Sequence, residues 1–199
     1  MAELLAFNKW STSGIAVEDP GLQRYISLQP RIVPKTGARF ASKRFYKSKL
    51  FIIERLINKV MITGHKSKKH FKSSGRFTGK TINAYDTVKH TLEFIEQRTK
   101  ENPIKVFVKA LENAAPREEI VAIEYGGARY PKAVECAPQR RIDVALRHIT
   151  QGAYWKSFNS KKKIVEALAE EIIAAYRLDP KSNAISKKYE LERQADASR

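Results

Sequence analysis

The chain has 199 residues, 42% hydrophobic and 10% aromatic, which is enough apolar side chain to bury a core and excludes wholesale disorder. It carries 38 Lys and Arg against 21 Asp and Glu, a formal charge of +17, which points away from basic partners and towards a polyanion. No apolar run approaches the length of a membrane span, and a single cysteine, Cys136, excludes an intramolecular disulfide and suits a reducing compartment.

Residues 1–38 show no sustained period and contain Pro20, Pro30 and Pro34, so they read as an extended arm tethered through Phe7, Trp10 and Tyr25. The opening MAELLAFNKW lacks a charged region followed by an apolar core, so no secretory signal is expected. A helix follows at about 49–62, with Ile53, Leu56, Ile57 and Val60 on one face, Ser48 as cap and Gly64 as stop. Residues 65–80 have few apolar side chains and no period, and read as a solvated basic loop. A second helix covers about 82–98, with Ile82, Tyr85, Val88, Leu92 and Ile95 inward.

The third helix is the best punctuated. Asn102 is a natural N-cap, Pro103 fits the first helical position, and Pro116 disfavours helical geometry at Ala115. Ile104, Phe107, Val108 and Leu111 form its buried stripe. The period then changes. Two β-rich runs within about 119–136 flank Gly126-Gly127, a two-residue hairpin signal, and Pro131 is tolerable because a two-stranded ribbon is all edge. A fourth helix begins near Pro138 and runs to about Gln151, with Ile142, Ala145, Leu146 and Ile149 inward. A fifth follows Ser160 to about Arg177, with Val165, Leu168, Ala169, Ile172 and Tyr176 inward, and Pro180 closes it. The polar remainder holds at most a short helix near 186–195. The fold expected is mainly α: a bundle of five to six helices with a protruding two-stranded β-hairpin. Residues 1–38 form an arm, 39–180 the helical domain and 181–199 a C-terminal tail.

The positive charge is concentrated. Residues 39–80 hold thirteen Lys and Arg against Glu54 alone, and residues 137–163 hold seven against Asp143 alone. Residues 81–136 and 164–199 are each close to neutral. Concentrating charge costs self-repulsion, which a polyanion relieves, so nucleic acid is the leading partner class. Two helix starts repeat the theme: Arg140 and Arg141 in the first turn of helix four, and Lys161, Lys162 and Lys163 in the first turn of helix five. Cations there oppose the helix dipole by about 0.3–1 kcal/mol each, and they strengthen an N-terminal anion site. Arg129 and Tyr130, beside the hairpin turn, are placed to contact phosphate or stack on a base. The ribbon carries apolar residues on both faces, so it either lies flat on its own core or offers one face outward.

Catalytic patterns are missing. Gly75-Arg-Phe-Thr-Gly79-Lys80-Thr81 has three residues between its glycines where a phosphate-binding loop needs four, and no strand precedes it. The four histidines have no metal-ligand spacing with Cys136, so neither metal nor cofactor is expected. Glu118-Glu119 and Glu170-Glu171 read as solvated faces, and Asp143 as a partner of Arg147 one turn on.

Long blocks of the chain resemble the archaeal and eukaryotic form of small-subunit ribosomal protein seven. They are GLQRYISLQPRIVPKTGARFASKRFYKSKL (21–50), ERLINKVMITGHKSKKH (54–70), NPIKVFVKALENAAPREE (102–119), EYGGARYPKAVECAPQRRIDVALRHI (124–149), KKKIVEALAEEIIAAY (161–176) and AISKKYELERQADASR (184–199). The resemblance implies a cytoplasmic, non-enzymatic ribosomal protein that binds ribosomal RNA of the small-subunit head and organises head assembly. It also implies a ribbon that approaches the exit-site transfer RNA and the departing messenger RNA, beside neighbouring small-subunit proteins. Such a protein is not a stand-alone homo-oligomer. Carried over to matching positions, the RNA-facing residues are Arg39, Lys43, Arg44, Lys47, Lys49, Lys66, Lys68, Lys69, Lys72, Arg76, Lys80, Arg140, Arg141, Arg147, Lys161, Lys162 and Lys163. The ribbon tip is Gly126, Gly127, Arg129 and Tyr130. Residues 151–160 depart from the family pattern, so nothing is carried over to Tyr154, Trp155 or Lys156. The alternative is a DNA-binding or chromatin-associated basic protein, which should show a base-reading helix face; none is evident. An RNA-processing enzyme would need convergent carboxylates or a histidine pair near the basic surface.

Overall fold

The computed structural model describes residues 4–66, 69–70 and 79–199. Its centre is helix α4 (Pro103–Ala114), where Ile104, Val106, Phe107, Val108, Ala110 and Leu111 are all buried. The start and stop are those the sequence dictates. The Asn102 side chain accepts a hydrogen bond from the Ile104 amide at 3.0 Å, and Ala115 turns extended ahead of Pro116. Around α4 stand α3 (Thr81–Thr99), α5 (Pro138–Ser157) and α6 (Ile164–Tyr176), with α6 packed on all three of its neighbours. Helix α2 (Ile52–Val60) lies against α3 and α5, and α7 (Asn183–Ala197) against α5 and the ribbon. The short α1 (Pro20–Gln23) brings the described helices to seven, against the five to six expected.

Several boundaries shift for physical reasons. Helix α2 starts at Ile52 instead of near 49, because Ser48 hydrogen-bonds the Phe45 carbonyl inside a 3-10 turn (Tyr46–Lys49) and caps no helix. Helix α5 runs six residues past Gln151, because Gly152 lies close against the Glu171 and Asn183 side chains while Ala153 and Tyr154 are buried. Helix α6 begins at Ile164, so Lys161–Lys163 precede the helix and do not form its first turn. Helix α7 is longer than the short helix expected near 186–195 because Ala184, Ile185 and Ala195 are buried. Ile82 points outward at 75% exposure. It stands roughly 125° round α3 from the stripe of Ala84, Val88, Leu92 and Ile95.

The first residues contribute to the same core. Ala6, Trp10, Leu22 and Ile26 are buried in it, and the Phe7 ring packs at a tilt of 46° against Tyr85 with ring centroids 4.9 Å apart. Glu171, expected in solvent, is wholly buried. It pairs with Lys156 and accepts hydrogen bonds from the Ser182 hydroxyl and the Ala184 amide, which fastens the start of α7.

Strands β3 (Glu118–Tyr125) and β4 (Ala128–Glu135) pair antiparallel around Gly126-Gly127, whose φ values of 58° and 80° match the mirror-image turn that suits strand twist. Counted from the closing pair Tyr125–Ala128, the Ala122–Pro131 pair falls at a non-hydrogen-bonded position, so the missing proline N–H costs nothing. Strands β1 (His65–Lys66) and β2 (Lys69–His70) form a shorter pair within the segment read as a loop. The rest of that segment, with the glycine-containing stretch at 75–78, lies outside the described residues.

Candidate RNA-binding surface

The two basic stretches meet at α2 and α5. Arg55, only 5% exposed although charged, donates to Asp143 at 3.1 Å and to the Tyr25 carbonyl at 3.1 Å. Lys47 pairs with the other oxygen of Asp143. Asp143 therefore binds across to the first stretch instead of along its own helix to Arg147. Burial raises the Asp143 pKa, but the Lys47 hydrogen bond and the charges of Arg55, Lys47 and Lys59 outweigh it and hold the carboxyl below its ordinary value. Lys59 shows the converse. Burial lowers its pKa; Asp143 opposes the shift, while Arg147, Lys47 and Arg55 add to it. Three cations, Lys47, Arg55 and Lys59, thus act on one carboxylate. A cleft of about 250 Å³ opens beside them, with Phe40, Leu50, Ile62 and Leu146 among its apolar walls and Lys47 and Lys59 among its cationic ones.

Around this joint the basic side chains divide into those tied into the fold and those left to solvent. Arg140, in the first turn of α5, pairs with Glu119 at 2.6 Å and so braces the foot of the ribbon. Arg141 is held by Asp19 at 2.7 Å and by the Pro116 carbonyl at 3.0 Å, tying the chain's beginning to the α4–β3 corner. Arg39, Lys43, Arg44, Lys49 and Arg147 are exposed and meet no carboxylate among the described residues. Lys80 is exposed just before α3. Lys66 and Lys69 are backbone partners in the β1–β2 register, and Lys68, Lys72 and Arg76 lie outside the described residues.

Lys161–Lys163 stand apart from the Asp143 joint. They follow the far end of α5, a 20-residue helix and hence about 30 Å long, whereas Asp143 sits near its start. Lys162 pairs there with Glu170, which also faces Arg98 at 3.7 Å, while Lys161 and Lys163 are exposed.

The ribbon does not lie flat on the core. Only its foot is covered: Arg199 pairs with Glu118, and Glu192 accepts from the Arg117 amide at 3.0 Å. Residues 121–132 are exposed throughout. Val121, Ile123, Tyr125 and Tyr130 share one face by strand alternation, with Tyr125 at 81% exposure. Arg129 on the opposite face is exposed and pairs across the strands with Glu124 at 3.5 Å. Cys136, at the foot, is buried, which pushes its thiol up to about 11. Among the described residues no three His, Cys, Asp or Glu side chains are grouped to hold a metal ion.

Sequence reasoning missed two features of this surface. Asp143 was assigned the wrong partner, since only tertiary packing brings Lys47 and Arg55 to it. The other is a pair of exposed aromatic rings, Phe45 and Tyr46, set among the bases of Lys43–Lys49. An aromatic pair flanked by bases is visible in the sequence.

The described residues thus form a helical scaffold with a cationic flank and an exposed two-stranded ribbon. The family model described as "Ribosomal protein S7p/S5e" matches residues 22–199. The "Small ribosomal subunit protein uS7" of Nanoarchaeum equitans is 54% identical over 193 residues, covering 97% of this chain and 98% of that protein. The protein of the same name from Archaeoglobus fulgidus is 48% identical over 197 residues, covering 99% and 96%. The chain belongs to the S7p/S5e family of ribosomal proteins, a structural and non-enzymatic family.

Proposed function

We propose that this ribosomal protein is a structural constituent of the small subunit, working in the cytoplasm within the ribosome. It binds ribosomal RNA of the head and organises head assembly, with neighbouring small-subunit proteins beside it. The observation that carries this reading is the Asp143 joint, which places bases from both stretches on one flank. Lys43, Lys49 and Arg147 neutralise phosphates from a base held rigid by α2 and α5. Lys161 and Lys163 make a second contact beyond the far end of α5, and the bases of 66–80 contribute further phosphate contacts. Recognition is by RNA shape, because side chains do not read the deep groove of A-form helices. The exposed ribbon, with Gly126-Gly127, Arg129 and Tyr130 at its tip, reaches towards the exit-site transfer RNA and the leaving messenger RNA.

The test is binding to an isolated head-domain RNA over a salt series. Charge reversal at Lys43, Lys49 and Arg147 should reduce the slope of log K against log salt by about 2, from roughly 0.7–0.9 per phosphate contact. An unchanged slope and affinity would reject these contacts. In cell extracts the protein should travel with small subunits through a high-salt wash, and release with soluble proteins would reject the ribosomal assignment.

A further inference from the structure

We infer that Phe45 and Tyr46 form a stacking platform for an unpaired RNA base, an element that adds to the phosphate contacts and rests on the RNA-binding reading above. Phe45 has φ 62°, a left-handed conformation that a bulky side chain rarely adopts, yet its ring is 53% exposed. Strain of this kind persists only where the surroundings fix it. Here the Ser48 amide and hydroxyl both donate to the Phe45 carbonyl, at 3.0 and 2.8 Å. Just beyond, Leu50 and Phe51 are buried, and Lys47 is anchored on Asp143. The backbone is therefore held rigid under a ring that gains little burial from the arrangement.

Tyr46, 40% exposed, stands next to it. The Arg44 guanidinium lies over the Phe45 ring at 4.9 Å from the centroid, and the Lys49 ammonium over Tyr46 at 5.7 Å. Each ring is thus paired with a cation able to meet the phosphate of the nucleotide whose base it carries. A neutral apolar protein surface would leave that concentration of positive charge uncompensated; an unstacked nucleotide satisfies ring and cation together.

The experiment measures melting temperature and head-RNA affinity for Phe45→Gly, Phe45→Tyr and Tyr46→Ala. Glycine adopts the left-handed conformation freely, so Phe45→Gly should leave the melting temperature equal or higher while weakening RNA binding about tenfold. The slope against log salt should stay that of the parent, because no phosphate contact is removed. Phe45→Tyr keeps the ring and should retain parental affinity, and Tyr46→Ala should weaken binding in the same salt-independent way. Parental affinity in Phe45→Gly, with the parent binding and showing its full salt slope, overturns the platform alone. A lowered melting temperature in Phe45→Gly also overturns it, since the ring would then be packing within the protein. A parent with no salt-dependent affinity for this RNA overturns the RNA-binding reading itself.

Discussion

Replacing Asp143 with Ala removes the one carboxylate that serves both Lys47 and Arg55. Lys47 can turn to solvent, since its side chain is already 38% exposed. Arg55 cannot, because it is only 5% exposed. Breaking a buried pair by deleting one partner costs about 3–5 kcal/mol. The partial exposure of Asp143 and the remaining bond from Arg55 to the Tyr25 carbonyl put this case at the lower end, about 3 kcal/mol. For a chain of this length, about 2–4 °C is lost per kcal/mol, so the midpoint should fall by roughly 6–12 °C. Thermal unfolding of the isolated protein, followed by circular dichroism at neutral pH, measures it directly.

The pH dependence supplies an internal check. The folded pKa of Asp143 lies below its ordinary 3.8, so its stabilisation is complete above about pH 4 and is lost as pH falls through the folded value. The gap between parent and Asp143→Ala should therefore close in acid. A variant within about 0.5 kcal/mol of the parent at neutral pH would refute the view that this carboxylate holds the two basic stretches together.

Gly152→Ala should destabilise by about 1–3 kcal/mol in denaturant titrations, because the added Cβ would stand 2.8 Å from both the Asn183 Cβ and the Glu171 carboxylate. Asn102→Ala removes the cap of the central helix and should cost about 1 kcal/mol in the same titration. The Cys136 thiol, buried and pushed up to about 11, should react slowly with a maleimide at pH 8 in the folded protein and rapidly in denaturant.

What could be read in advance divides along a physical line. The α4 boundaries and the ribbon turn were legible because Asn102, Pro103, Pro116 and Gly126-Gly127 act on their own backbone, whatever surrounds them. The buried stripes of α4 and α5 were legible because period alone sets a helix face. Partnerships made by packing were not. Glu171 resembles any surface glutamate until α5 and α7 close over it, and Asp143 sees Lys47 and Arg55 only once α2 lies on α5. Concentrated charge marked the cationic flank, but it could not separate Arg141, which is held by Asp19, from Arg147, which is exposed to solvent.

Site-specific photocrosslinking inside the assembled small subunit puts the principal idea to the most direct trial. With a short crosslinker at position 43 and another at position 147, both should capture ribosomal RNA, at nucleotides of the same head region. Capture of RNA regions far apart, or of neighbouring proteins alone, would contradict the account.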